Sequence, residues 1–533
     1  MFKVKLSYRE TGRFSDLVHD YLEGHVNLRP FYHRAPDIEG MLGQADEKLN
    51  DFKHRQVLVD ALSSQYTNTG LRVPELVHRL AKKNCVTVTT GHQLCLFSGP
   101  LYFVYKILTT IRLSEELNAA RNVLDVVPVF WMASEDHDFD EVNHCYVNNQ
   151  KIEWESGQAG AVGRMKLEGM EEVLGAMKEA LGEAPDREEV MEILRRTYGN
   201  SGQTLATATR QLVAELFGLE KILIIDGDDA SLKQLFAPHI EKEINEQFSF
   251  RAVSATSGKL AGHYKVQVHP RELNLFYLDH QLRERIVATS DGFEVLHTDL
   301  KFSKNELLEL VHNHPERFSP NVILRPLYQE TILPNVCYVG GGGELAYWFQ
   351  LKDTFRAAGL PFPVLLLRNS SMWVSAADMR NIRKLNLDVT DFFGDSERLI
   401  QAFVREQADE DLDMSSEYNQ LEALYEQLSS LAASVDPTLE KMVMAEGART
   451  HKGLKFIEKR IIRAAKRKNR QTIDRIQALF DRFFPNNGLQ ERHDNYFQYH
   501  AQYGSPWLEQ ISSMLEPLEK TFTIVVDNHS PSE

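Results

Sequence analysis

One short loop gathers much of the ionisable chemistry of this chain: Glu135-Asp136-His137-Asp138-Phe139-Asp140-Glu141, directly after an apolar stretch ending Phe130-Trp131-Met132-Ala133-Ser134. An imidazole among carboxylates titrates near neutral pH and is tuned by them, so His137 can donate a proton or orient a phosphate. Histidine and carboxylates also bind metal ions, and His144 follows close behind, but no H-E-x-x-H spacing is present. A capping or solvated-loop role is the third reading. The residues leave these three open, and no metal site is expected.

Two glycine-bearing turns point to an anion or nucleotide. The stretch from Val86 to Glu116 reads as a β-branched strand, a loop and an amphipathic helix starting at Pro100. Such a helix start carries unpaired N–H groups and partial positive charge, and proline suits its first position. Gly91 and Gly99 permit tight turns or close approach of a ligand. His92 and Gln93 stand at the carboxyl end of the strand, where open α/β sheets place their ligands. The second turn, Gly340 to Gly343, follows Asn335-Val336-Cys337-Tyr338-Val339 and precedes a helix beginning with Glu344. Its backbone donors offer an anion pocket, and Glu344 is expected to hold ribose hydroxyls or an ammonium group. A purely conformational role remains the alternative at both turns, and neither fits the P-loop or G-x-G-x-x-G pattern.

Arg325 and Arg368 flank apolar segments read as strands, where a buried guanidinium is paired or binds an anion. Ser303 with Glu306 reads as a helix capping box. Cys95, between two leucines, reads as packing, and no G-x-S-x-G nucleophile motif occurs.

The elements that must position these residues follow from periodicity. Strands are expected at 86–90, 126–133, 221–226, 335–339 and 362–368, with a helix over 100–118 making a β-α-β unit, and together they give a Rossmann-like α/β core. Residues 1–80 read as mainly helical. Three helices are expected between 166 and 218, further strands near 264–279, and one helix over Glu344–Gly359. Leu421, Leu424, Leu428, Leu431 and Val435, then Leu454, Ile457, Ile461 and Ala464 and, after a slip, Ile473, Ile476, Phe480 and Phe483, recur at coiled-coil spacing on two helices separated by Asp436-Pro437. Their second arm is basic over 451–470, read as a solvated flank or as a dock for an anionic ligand or acidic partner. The expected organisation is a first part of the core over 1–150 and a helical insertion over 151–220. A second part of the core over 221–385 carries a further insertion near 250–300. A helical coiled-coil domain over 386–484 precedes a segment over 485–533 that packs back on the core.

At 533 residues and 43% apolar content the chain can bury a large core. A net charge of −16 argues against general adhesion to nucleic acid or anionic membrane. No apolar run approaches about 18 residues, and the charged N-terminus lacks a signal-peptide core. Cys85, Cys95, Cys145 and Cys337 form no C-x-x-C pair, which fits free thiols in the cytoplasm.

TGHQLCLFSGPLYFVYK, VPVFWMASEDHDFDEVNH, SPNVILRPLYQETILPNVCYVGGGGELAYW and PNNGLQER resemble the bacillithiol biosynthesis cysteine-adding enzymes, the BshC family. The resemblance implies a core like class I aminoacyl-tRNA synthetases with connective-peptide insertions, and a long antiparallel coiled coil that forms a homodimer. It implies a ligase that adds cysteine to the amine of glucosaminyl malate, with ATP as cosubstrate and magnesium only as its companion. Carried over by position, Gly91, Gln93, Gly99, Pro100, Tyr102, Gly340, Gly341, Gly343 and Glu344 would hold the nucleotide. His92, Lys106, Asp136, His137 and Asp138 would be catalytic. Helix-start N–H groups, Lys106 and His92 or His137 would stabilise charge on phosphate and carbonyl oxygens, while Asp136 or Asp138 would hold the cysteine ammonium or accept the amine proton. Arg325, Tyr347 and Arg368 would bind substrate, the arginines matching the malate carboxylates. Two other classes stay open: a nucleotide-binding, non-catalytic protein that recruits a partner through its coiled coil, and a tRNA-type binder using the basic arm.

Overall fold

Five parallel strands carry the larger of two compact units: β1 (Cys85–His92), β2 (Asp125–Met132), β3 (Leu223–Asp226), β4 (Asn335–Gly340) and β5 (Val364–Leu367). The computed structural model describes residues 1–121, 123–406 and 413–527. Residues 407–412 of the expected helical region and 528–533 of the expected C-terminal segment lie outside the described residues.

The strands are almost wholly apolar because a parallel sheet is buried on both faces. Their spatial order is β5-β4-β1-β2-β3, with every pair parallel. The register of β1 on β2 runs from Cys85 opposite Asp125 to His92 opposite Met132. Parallel neighbours need a crossover, here helix α1 (Tyr102–Ala120) between β1 and β2. The order reverses between β1 and β4, and at such a switch point the connections leave in opposite directions and open a crevice at the carboxyl ends. The expected Rossmann-like core is therefore present. Val86, Val88, Val126, Val339 and Leu366 of the sheet form one core cluster with Leu113 and Leu117 of α1 and Met41 of helix Ile38–Asp51. Each such side chain stabilises the fold by roughly 1.5–3 kcal/mol through burial.

Helices Met170–Leu181, Arg187–Tyr198 and Leu205–Phe217 lie between β2 and β3. Between β3 and β4 the chain forms an antiparallel sheet from Leu275–Asp279, Leu282–Thr289, Gly292–Val295, Lys301–Phe302 and Phe318–Pro320. Of the strands expected near 264–279, only Leu275–Asp279 forms. At Tyr264–His269 the Gln350 side chain takes the place of a neighbouring strand, accepting from the N–H groups of Gln267 (2.9 Å) and Val268 (3.0 Å) and donating to the Val268 carbonyl (2.8 Å). The helix expected over Glu344–Gly359 is two, α2 (Gly342–Trp348) and Lys352–Ala358. The mainly helical N-terminus begins with a strand, Phe2–Ser7, whose partner Thr521–Val526 lies at the other end of the chain.

The smaller unit, built from Trp373–Gly488, contains an antiparallel hairpin of α3 (Ser415–Val435) and α4 (Pro437–Lys468), with α5 (Arg470–Phe483) beyond Asn469. Asp436 caps α4 by accepting from the Thr438 N–H at 2.8 Å. The facing stripe differs from the expected leucine seam. Tyr418 donates to Glu458 (2.9 Å), Tyr425 shares a hydrogen bond with Thr450 (2.7 Å), and the Tyr425 ring lies so close over Gly447 that a Cβ there would meet it at 2.9 Å. Large rings against a glycine rotate the helices so that Leu424, Leu428, Leu431, Val435, Ile457 and Ile461 stay exposed.

In the larger unit, Leu489–Val525 is tied to the end of β5 by a buried fork. Arg368 donates to Glu491 Oε1 at 2.7 Å and Oε2 at 3.0 Å, and Oε2 also accepts from the Ser371 N–H at 3.0 Å. Breaking a buried pair strands a charge, so Glu491→Gln is expected to cost about 3–5 kcal/mol in urea unfolding. A loss below about 1 kcal/mol would show that this pair does not anchor the segment.

Candidate active site

The crevice between β1 and β4 opens into a cavity of about 620 Å³, a size usual for small-molecule sites. Strand ends supply Gly91, His92, Gln93 and Trp131. Helix α1 supplies Tyr102 and Lys106, and α2 supplies Glu344 and Tyr347. The loop after β2 adds Glu135, Asp136 and His137, while Arg325 stands at the start of helix Arg325–Ile332 rather than beside a strand. The antiparallel insertion contributes Arg271, Arg283 and Arg285.

Lys106 and Glu344 bridge the switch point. Their Nζ to Oε2 distance is 2.7 Å, and Lys106 also donates to the Gly91 carbonyl. Burial alone would raise the Glu344 carboxyl. The Lys106 charge and the Gly341 N–H outweigh it and keep Glu344 below its ordinary range, hence ionised.

The two histidines carry opposite tautomers. Arg283 Nη1 lies 2.8 Å from His137 Nδ1. A guanidinium only donates, so this nitrogen accepts and the ring proton sits on Nε2. His92 Nδ1 lies 2.8 Å from the Gln93 carbonyl oxygen, which only accepts, so the His92 proton sits on Nδ1 and Nε2 keeps its lone pair. Burial, reinforced by the Lys106 charge, pulls His92 down to about 4. By this hydrogen-bond geometry the cavity presents a donor Nε2–H on His137 and an acceptor Nε2 on His92.

Asp136 accepts from Gln93 Nε2 and from the His137 N–H, each at 2.8 Å. Burial pushes its carboxyl up, but the His137 ring beside it (Nδ1 to Oδ1 3.6 Å), these hydrogen bonds and the Arg283 charge hold it well below the usual carboxylate range. It is a weak base and a firm anion. Glu135 is fixed by Lys233 at 2.6 Å, which also binds Asp228 at 3.0 Å.

Of the residues expected at the site, Gly91, His92, Gln93, Tyr102, Lys106, Asp136, His137, Arg325, Glu344 and Tyr347 line the cavity. Asp138 does not: it caps helix Phe139–Val142 by accepting from the Glu141 N–H. Gly99 and Pro100 are closed off by the C-terminal segment. Helix α1 starts at Tyr102, the Leu101 N–H is taken by the Asp494 carbonyl (2.8 Å), and Asn495 donates to the carbonyls of Phe97 (2.8 Å) and Gly99 (2.7 Å). Phe97, Ser98 and Gly99 all have positive φ, a conformation that costs about 1–3 kcal/mol at each non-glycine residue and persists only where the surroundings impose it. Gly340, Gly341 and Gly343 are outside the lining, and the Gly341 N–H is taken by Glu344 at 2.8 Å. Arg368 is likewise outside, spent on Glu491.

Sequence reasoning missed Lys233 and the three insertion arginines. Alternation in Leu282-Arg283-Glu284-Arg285-Ile286 was the signal for two of them, since residues two apart share a strand face. Among the described residues, no three or more His, Cys, Asp or Glu side chains are grouped to hold a metal.

The chain matches two family descriptions: Bacillithiol biosynthesis BshC, N-terminal Rossmann-like domain, over residues 1–369, and Bacillithiol biosynthesis BshC, C-terminal coiled-coil domain, over 372–526. It is 40% identical to a protein of Flavobacterium johnsoniae over 98% of this chain and 99% of that one. Identity is 39% to a protein of Christiangramia forsetii (98% of each chain) and 32% to one of Salinibacter ruber (95% of each). All three relatives bear the name "Putative cysteine ligase BshC".

The low His92 value sets a pH signature. Its folded value of about 4 lies below the ordinary 6.5, so the unfolded chain binds the extra proton first. Stability linked to this group is intact above pH 6.5, declines as pH falls, and levels off below about 4. Between pH 7 and 5 the melting temperature of wild type should fall further than that of His92→Gln. Parallel curves would show that His92 is not held neutral.

Proposed function

We propose a reaction for this cavity on one premise: the chain belongs to the bacillithiol biosynthesis BshC family, over both of that family's domains, and acts as its relatives' name states, as a cysteine ligase. The substrates are cysteine and glucosaminyl malate, with ATP as cosubstrate accompanied by magnesium. A cysteine carboxylate oxygen attacks the α-phosphorus and pyrophosphate leaves, giving an acyl-adenylate. The glucosamine amine then attacks the carbonyl, AMP departs with the C–O electron pair, and the nitrogen loses a proton. His137 Nε2–H donates to the oxygen on which charge develops. His92 Nε2 accepts a hydrogen bond from the attacking amine, whose proton leaves to solvent. Asp136, ionised and a poor base, holds the cysteine ammonium. Tyr102 and Lys106 border the nucleotide, while Arg325 and Tyr347 meet the acceptor.

The observation that carries this reading is the donor and acceptor imidazoles in one switch-point cavity, fixed by Arg283 and by the Gln93 carbonyl. Purified protein incubated with cysteine, glucosaminyl malate and ATP under reducing conditions should yield bacillithiol, AMP and pyrophosphate by mass spectrometry. His137→Ala should lower kcat by about 10²-fold, within the range for loss of one such donor. ADP in place of AMP would replace the adenylate with an acyl phosphate, and nucleotide binding without product would overturn the reaction.

The exposed stripe of Leu424, Leu428, Leu431 and Val435 supports a homodimer through the hairpin. Light scattering should give a dimer for wild type and a monomer for Leu424→Glu/Leu431→Glu; a monomeric wild type would refute the assembly. The four cysteines are free and buried, and no described helix is long and apolar enough to cross a membrane. These features support placement in the reducing cytoplasm.

A further inference from the structure

The carboxylates of the cavity all have partners: Glu135 has Lys233, buried behind the lining, Asp136 has Gln93 and Arg283, and Glu344 has Lys106. Its cations are not balanced in the same way. Arg325 has neutral partners, Gln329 Oε1 at 3.0 Å and Tyr347 Oη at 3.5 Å, beside the rings of Trp131 and Tyr338. Arg271 and Arg285 line the cavity with no carboxylate at ion-pair distance among the described residues.

The inserted sheet explains the difference between its arginines. Arg283 and Arg285 share one face of strand Leu282–Thr289, opposite Leu278 and Phe276 of the neighbouring strand. Arg283 lies over Phe276 and is spent on His137 and on Ser319 Oγ at 3.1 Å. Arg285, one pleat further along, has no such partner.

Three guanidinium groups with no carboxylate at ion-pair distance line one cavity, Arg271 exposed to solvent and Arg285 half-buried, and they suit a ligand with at least two negative charges, whose carboxylate or phosphate oxygens their planar forks match. The N–H groups of Gly341 and Leu101, which could have cradled a polyphosphate, are already taken. We infer that Arg271 and Arg285, together with Arg325, form the subsite for the two carboxylates of the malate part of the acceptor. This assignment rests on the acceptor reading above and adds the residues that select for it. The insertion thereby sets acceptor specificity, while the parallel core carries the activating chemistry.

The test uses the full-length chain with Arg271→Gln, Arg285→Gln and the double substitution, each checked by circular dichroism. Arg285→Lys serves as a variant that keeps charge but loses the fork. In calorimetry with L-malate, wild type should bind and the double variant should lose at least tenfold in affinity, with ATP and inorganic pyrophosphate bound as before. In turnover, KM for glucosaminyl malate should rise at least tenfold with KM for cysteine and ATP within twofold. Methyl glucosaminide, which has the amine but no malate, should be used equally by variant and wild type. Unchanged malate binding would overturn the subsite, as would a loss falling on ATP or pyrophosphate, which would make it a phosphate site. If wild type forms no bacillithiol, the reaction reading fails, and malate calorimetry still decides the subsite.

Discussion

The Lys106–Glu344 ion pair spans the point where the order of the parallel strands reverses, and the chemistry of the cavity depends on it. Lys106 comes from the helix after β1 and Glu344 from the helix after β4, the two neighbours whose connections diverge. The strands β1 and β4 are already hydrogen-bonded neighbours, and the ion pair adds a tie between the two helices that flank the crevice. The pair also consumes both partners. Lys106 has Gly91 and Glu344, and Glu344 has Lys106, Gly341 and Tyr338 at 2.6 Å, so neither is a free group awaiting a ligand. Their combined charge is near zero, yet the Lys106 charge reinforces burial, the larger cause, in lowering His92.

The parallel core was legible because buried strands are nearly continuous apolar runs and the β-α-β spacing admits few topologies. The acidic loop was legible because it follows such a strand. What was not legible was which donors remain free. A glycine-rich turn before a helix reads as an anion nest, but Glu344, three residues beyond Gly341, folds back onto its N–H. Pro100 reads as a helix start, but Asp494 and Asn495, almost 400 residues away, occupy that loop. Arg368 reads as a buried cation with an unknown partner, and the partner is Glu491. In each case a correct local rule met a long-range contact that local pattern does not contain. The seam forms only in part: Leu421, Leu454 and, beyond the slip, Ile476, Phe480 and Phe483 are covered, whereas Leu424, Leu428, Leu431, Val435, Ile457 and Ile461 stay exposed where Tyr425 packs over Gly447.

The insertion between β3 and β4 does for the site what the parallel sheet cannot. Strand ends of a Rossmann-like core deliver side chains to one side of a crevice, and a ligand there would remain exposed on the other. The insertion adds Arg271, Arg283 and Arg285, with Leu273, Leu275, Phe276 and Pro320, to the lining of the same 620 Å³. Such a lining suits a reaction that must bring together an activated acyl group and an acceptor of different charge.

Arg283 is the residue through which the two walls communicate. It is buried and lies 4.0 Å from the centre of the Phe276 ring, so its position is set by the packing of the inserted sheet. Its donation to His137 then fixes a tautomer on the other wall. The acidic loop alone could not do this, because carboxylates beside an imidazole accept from it and would turn a proton toward themselves. A permanent donor on Nδ1 forces the proton to Nε2, while Asp136 takes the Gln93 amide and the His137 N–H and Glu135 takes Lys233. The loop by itself allowed His137 to act as a proton donor; the insertion, through Arg283, determines which ring nitrogen carries that proton.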